Sequence, residues 1–156
     1  ALQEHIGIGD VVLPIAVARD EDATGHYVDK GFPAVSDPAL YYTVRRATRE
    51  KAESIGVKLW EGVIVSTSSV LSETAEWVEK WRRSGALAVD EETSTLYVLG
   101  YLSGVPTAVL LAVSDSVVLG EPRRYTYDVE ERVSRTYSAI VEAALEAVYE
   151  FSKQQE

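Results

Sequence analysis

Continuous apolar runs alternate along the chain with segments whose apolar residues recur every three or four positions, and this alternation predicts an α/β fold. Residues 11–17 (VVLPIAV) read as a strand. Its proline, which has no N–H to give to a ladder, predicts an irregularity or a place near an edge. A polar loop, DEDATGHYVDKG, follows. Ser36 or Asp37 as cap, Pro38 in the first turn and Gly56 as the stop predict a helix to about Ser54. Residues 57–66 (VKLWEGVIVS) form a second expected strand. Residues 73–83 form an amphipathic helix with Trp77, Val78 and Trp81 on one side, and residues 86–89 a short buried strand. The spacing then predicts a helix over 93–102 with Leu96, Tyr97 and Leu99 inward, followed by a central strand in TAVLLAV (107–113). A last helix runs from about Val129 to Phe151, with Val133, Tyr137, Ile140, Val141, Ala144, Leu145 and Val148 at helical spacing.

Apolar runs separated by helices imply a mainly parallel or mixed sheet covered on both faces, a three-layer αβα arrangement. Ligands of such sheets collect at the carboxyl ends of the strands. Two strands end there in acids: 86–89 runs into Asp90-Glu91-Glu92, and 108–113 into Ser114-Asp115. The helix between them makes a β-α-β unit, whose right-handed crossover is expected to bring both ends to one rim, with Glu92 and Asp115 facing one ligand. The plainer reading stays open beside it. Acids in a helix's first turn are favoured by its dipole, Asp90 or Thr93 can serve as a cap, and Asp115 can start a turn.

Composition narrows the partners. The 156 residues suit one domain, and 46% hydrophobic with 26% charged residues is ordinary for a globular protein. A net charge of −10 argues against nucleic acid and against anionic membrane surfaces, and the apolar runs are too short to span a bilayer. The expected partner is a small molecule or another chain, and the expected location is intracellular. With no cysteine, thiolate chemistry is excluded. His5 and His26 lie in expected loops without a metal partner at helical spacing, so no metal is expected. Gly7-Ile8-Gly9 reads as a turn before a strand. STSS (66–69) either binds a polar ligand or forms a loop. The chain has no methionine, even at position 1, which fits removal of an initiator or a start inside a longer protein.

The succession GDVVLPIAVARD, FPAVSD, VIVSTSS, WVEKWRRSGALAVDEETSTLYVLG and VLLAVSDS resembles the nucleoside phosphorylase family of the purine and uridine type, over essentially the whole chain. The acidic turn resembles the family's Glu-Met-Glu ribose motif, with Asp90 at the first acid, Glu91 at the methionine and Glu92 at the second. The resemblance implies that Glu92 holds the ribose hydroxyls. It implies that Asp115, twenty-five residues past Asp90, protonates the leaving purine, and that Arg132 on the last helix assists it. Thr67, Val70, Val89, Glu91 and Ser114 fall at the family's substrate positions. Val70 stands where a phenylalanine packs on the nucleoside, and Glu91 puts a charge where the family has an apolar contact. The implied reaction is phosphorolysis to free base and ribose 1-phosphate, with inorganic phosphate as co-substrate and no further cofactor. Ser-Asp favours purines, whereas FPAVSD looks like the uridine branch. Hydrolysis by a nucleosidase and a non-catalytic nucleoside-binding subunit are the alternatives. Family members form dimers and hexamers, so the resemblance implies a homo-oligomer, and the expected location is cytoplasmic. Ala1-Leu2-Gln3 resembles the residues just after the family's glycine-rich phosphate loop, so the chain is expected to be one domain (1–156) lacking its N-terminal segment, with a companion N-terminal fragment as a further expected partner.

Overall fold

The computed structural model describes residues 1–118 and 127–154. Five strands form one sheet: β1 (Val11–Asp20), β2 (Ala34–Val35), β3 (Leu59–Thr67), β4 (Val89–Asp90) and β5 (Leu111–Ala112). Four α-helices accompany them: α1 (Pro38–Ile55), α2 (Ala75–Arg83), α3 (Thr93–Ser103) and α4 (Tyr127–Lys153). β1, β3 and β4 are parallel neighbours in that order, while β2 and β5 both lie antiparallel on the other edge of β1. The sheet is therefore mixed, with helices on both faces. Among the described residues no helix is long and apolar enough to cross a membrane.

Alternation along β1 sets the layers. Leu13 faces α1 and α4, where it joins Leu40, Tyr41, Val44, Ala143 and Ala147, and Val11 meets Ala52 and Ile140 on the same side. Val12 faces α3 with Ile64, Tyr97 and Val98. The proline irregularity expected in this strand is a register shift against β3 between Pro14 and Ala16. One extra residue reverses the parity, so Val17 joins the same cluster as Val12 while Ile15 is left exposed. The bulge sits in the middle of the sheet, and the buried Tyr97 hydroxyl donates to the Pro14 carbonyl at 2.6 Å.

The helix limits follow their local chemistry. Asp37 accepts from Leu40 N at 2.8 Å to start α1, and Gly56 ends it at φ 70°. Thr74 accepts from Trp77 N to start α2, whose Trp77, Val78 and Trp81 pack over Leu2, Val65 and Ala86 as the spacing predicts. Both indoles also donate to Asp20 at the end of β1.

Three expectations need correction. The segment β4-α3-β5 is not a parallel β-α-β unit. α3 does not return along β4 but crosses the sheet face to β1 and β2. Gly100 packs so tightly on Thr107 that a Cβ there would lie 2.0 Å from its Oγ1, and Asp37 N donates to the Thr107 carbonyl at 2.8 Å. The chain thus enters its next strand beside β2 and descends β1 antiparallel to it, with β1 and β3 between β5 and β4. Second, TAVLLAV is not a central strand: only Leu111 and Ala112 pair, on one side, and residues 107–112 are half-buried. Third, Leu96 is turned outward at 49% exposure, because Tyr97, Val98 and Gly100 take the inner face of α3. On α4 the buried face is Thr136, Ala139, Ile140, Ala143 and Ala147, whereas Tyr137, Val141, Leu145 and Val148 are exposed.

Candidate functional site

The acids at the end of β4 are chemically unequal. Asp90 accepts from Ser66 Oγ at 2.6 Å, from Thr93 N at 2.9 Å and from Thr93 Oγ1. Ser66 and Thr93 are fully buried, and Ser66 Oγ in turn accepts from Ser94 N at 3.1 Å. Asp90 is thus the acceptor that joins β3 to the start of α3. Glu91 and Glu92 follow it as exposed residues at the N-terminal end of α3, where the helix dipole favours their charge. Glu91 reaches back to Val70 N at 3.2 Å, and Glu92 accepts from Glu91 N at 3.3 Å.

Glu92 and Asp115 reach one cavity by a route other than a shared crossover. Ala1 and Leu2 lie between the two acidic ends: Leu2 N donates to the Leu87 carbonyl at 2.9 Å, Ala1 N to the Asp115 carbonyl at 2.7 Å, and Val117 N to the Ala1 carbonyl at 3.2 Å. These two residues thus bridge the segment before β4 and the segment after β5. The open cavity between them, about 820 Å³, is lined by Val70, Glu73, Val89, Asp90, Glu91 and Glu92 and by Val113 to Val117, with Tyr137 of α4.

Six of the eight residues singled out in the sequence come together there: Val70, Val89, Glu91, Glu92, Ser114 and Asp115. Ser114 Oγ donates to Asp115 Oδ2 at 3.0 Å. Two do not line it. Thr67 is buried, with its hydroxyl 3.4 Å from Ser72 Oγ. The other hydroxyls of the STSS run are also spent internally: Ser68 Oγ accepts from Asp22 N and Ser69 Oγ from Leu71 N, so this stretch is a fastened loop. Arg132 lies against Gly9, whose φ of 85° gives the turn before β1, and whose N–H donates to the Val113 carbonyl. Arg132 therefore abuts the strand leading to Asp115 rather than the cavity wall.

Among the lining residues that were not site candidates from the sequence, three carry polar groups: Glu73, Ser116 and Tyr137. Glu73 immediately precedes the Thr74 cap, and burial together with the Asp115 charge raises its carboxyl above the usual range. Ser116 is buried, and its hydroxyl has no partner among the described residues. Tyr137 sits at helical spacing and looks like core from the sequence. An acid beside a cap is the one signal that points to Glu73, and Ser116 extends the Ser-Asp pair.

No Lys, Arg or His is among the lining residues described, while five carboxylates are. Such a wall accepts hydrogen bonds from hydroxyls and N–H groups and repels anions. In a mixed three-layer α/β protein, a wall of this kind is chemically suited to neutral, hydroxyl-bearing groups. The comparison with known proteins is more specific: the family model of the phosphorylase superfamily matches residues 1–150, and the chain belongs to that family. Among its relatives, the guanosine phosphorylase of Halorubrum lacusprofundi is 27% identical over 150 residues, which are 95% of this chain and 61% of the relative. The DeoD-type purine nucleoside phosphorylase of Caldanaerobacter subterraneus is 31% identical over 146 residues, covering 94% and 60%. The crystal structure of a Vibrio fischeri uridine phosphorylase superposes with a TM-score of 0.78 at 26% identity, covering 96% of this chain and 60% of that one. The chain thus spans about three-fifths of the length of the relatives it matches.

Proposed function

We propose that the chain carries the nucleoside-binding and base-protonating part of a nucleoside phosphorylase, with purine nucleosides favoured over uridine. The observation that carries this is the convergence of Glu92 and Asp115, from two separate strand ends, on one cavity. In the reading, Glu92 accepts hydrogen bonds from the ribose hydroxyls, which strengthen as positive charge develops on the sugar. A phosphate oxygen bonds to the anomeric carbon, the glycosidic C–N bond breaks, and the base leaves with the proton Asp115 supplies. Ser114, hydrogen-bonded to the Asp115 carboxyl, fixes its orientation. Membership of the family and relatives that are guanosine, purine nucleoside and uridine phosphorylases support the reading.

A carboxylate-lined cavity is a poor host for phosphate by itself, so cations must come from outside the described residues for phosphorolysis to proceed. The same feature favours, as the second reading, a subunit that binds nucleoside without turning it over. The test is release of base from inosine and uridine, with and without inorganic phosphate, beside calorimetric titration of inosine. Phosphate-dependent release, faster with inosine, is expected of the complete enzyme. Release undiminished without phosphate makes the protein a hydrolase, binding without release supports the second reading, and absence of binding removes both.

A further inference from the structure

Carboxylates serve the hydroxyls and N–H groups of a nucleoside, but its base also needs a surface. The two faces of a nucleobase carry no hydrogen-bonding groups and are covered best by an aromatic ring. Of the described residues that line the cavity, Val70, Val89 and Val113 are aliphatic, and Tyr137 is the one aromatic. Tyr137 is 50% exposed, because Thr136, Ala139 and Ile140 take the inner face of α4 around it. Among the described residues neither another ring nor a cation stacks on it. The aromatic pairs are His5–Trp60, Phe32–Tyr101, Tyr41–Tyr42 and Trp77–Trp81, and the cations over rings are Lys58, Lys80 and Lys153, which lie on Trp60, Trp81 and Tyr149. The helix holds this ring in a fixed relation to the acid of the site. Thr136, fully buried, donates from its hydroxyl to the Gly9 carbonyl at 2.7 Å, and Gly9 N donates to the Val113 carbonyl at 2.8 Å. Two hydrogen bonds therefore tie the residue before Tyr137 to the residue before Ser114-Asp115.

We propose that Tyr137 is the platform on which the base stacks, and that the face of its ring is what makes this cavity prefer purines to pyrimidines. The inference rests on the nucleoside reading given above and assigns the part of the substrate that reading leaves without a wall. Glu92 takes the ribose hydroxyls, Asp115 the leaving base at its edge, and Tyr137 the base at its face. A fused two-ring purine covers more of the phenol ring than a one-ring pyrimidine does, and the gain from stacking grows with the area covered. Tyr137 acts by binding alone and transfers no proton in the reaction.

The test is calorimetric titration of the full chain with inosine, uridine and hypoxanthine, for the parent and for three variants of Tyr137. Tyr137→Phe keeps the ring and should bind inosine as the parent does. Tyr137→Leu keeps apolar bulk without the ring, and should weaken inosine and hypoxanthine alike, by about tenfold or more. Uridine should lose less, so the inosine-to-uridine affinity ratio narrows. Glu92→Gln, by contrast, should weaken inosine and leave hypoxanthine unchanged. Tyr137→Trp offers a larger face and should bind inosine at least as tightly as the parent, with the new indole's emission quenched at saturation, a result that loss of folding cannot imitate. Equal inosine affinity in Tyr137→Leu and the parent, or an unchanged inosine-to-uridine ratio, overturns the proposal and leaves the nucleoside reading standing. A loss in Tyr137→Phe as large as that in Tyr137→Leu also overturns it, since the hydroxyl rather than the ring face would then be the contact. If the parent binds neither nucleoside, the nucleoside reading fails and this inference falls with it.

Discussion

Replacing each of the three adjacent acids by alanine should separate the structural one from the other two. Asp90→Ala removes one carboxylate from three donors at once, the Ser66 hydroxyl at 2.6 Å, the Thr93 amide at 2.9 Å and the Thr93 hydroxyl. Loss of the acceptor at the helix start costs about 1 kcal/mol. Two buried hydroxyls then lose their acceptor, at about 1 kcal/mol or more each. The sum is about 3 kcal/mol, and in a domain of this size it should lower the melting temperature by about 6–12 °C. Glu92→Ala touches an exposed side chain whose gain is mostly dipolar, and should cost about 0.5 kcal/mol. Glu91→Ala should behave like Glu92→Ala. Urea unfolding of the three variants in one buffer measures the ranking. If Asp90→Ala unfolds within about 0.5 kcal/mol of the parent while Glu92→Ala is the destabilised one, the assignment of Asp90 as the fastening acid fails.

Tyr97→Phe leaves the Pro14 carbonyl at the β1 bulge without its donor in a dry interior, and should cost about 1–2 kcal/mol; an unchanged urea midpoint would contradict this. Glu73 gives a pH dependence of defined sign. Its folded-state carboxyl is raised by burial and by Asp115, so the stability it contributes is fully present below the ordinary carboxylate range and is lost as pH rises through the raised value. Glu73→Gln lacks this titration, so melts of the two proteins should diverge across that window, with the variant relatively more stable at neutral pH. A pH-independent difference would refute it.

The elements whose limits are local were legible in the sequence. Asp37-Pro38 and Gly56 bracket α1 as read, and the proline of VVLPIAV marks a bulge where an irregularity was expected. The Trp77, Val78 and Trp81 face of α2 is the one that packs. What escaped is set by long-range contacts. Nothing within TAVLLAV says that α3 crosses the sheet, because the deciding contacts join Gly100 to Thr107 and Thr107 to Asp37. Leu96 and Tyr97 are adjacent apolar residues on a helix apolar almost all round, and periodicity cannot rank its faces. At the site, Glu92 and Asp115 do share a cavity, but through the bridging Ala1 and Leu2 rather than the crossover the pattern suggested. Residue type carried more of that conclusion than topology did.

The division of labour among the carboxylates bears on how the cavity can work. Asp90 accepts from three donors within the protein and is spent on fastening β3 to α3. Glu91 and Glu92 are tolerated because they are solvated and sit at a helix N-terminus. Any cover that closes the cavity removes that solvent and strengthens the mutual repulsion of these acids with Glu73 and Asp115. Closure therefore needs hydrogen-bond donors at Glu92 and a proton or a cation near Asp115 and Glu73, where Glu73 is already pushed toward its neutral form. In the proposed reaction the ribose hydroxyls provide the first. In the same reaction Asp115 is the group that hands a proton to the leaving base, with Glu73 as its carboxyl neighbour in the cavity. On that proposal substrate binding and closure are linked, because the hydroxyls that reach Glu92 are the donors that closure requires.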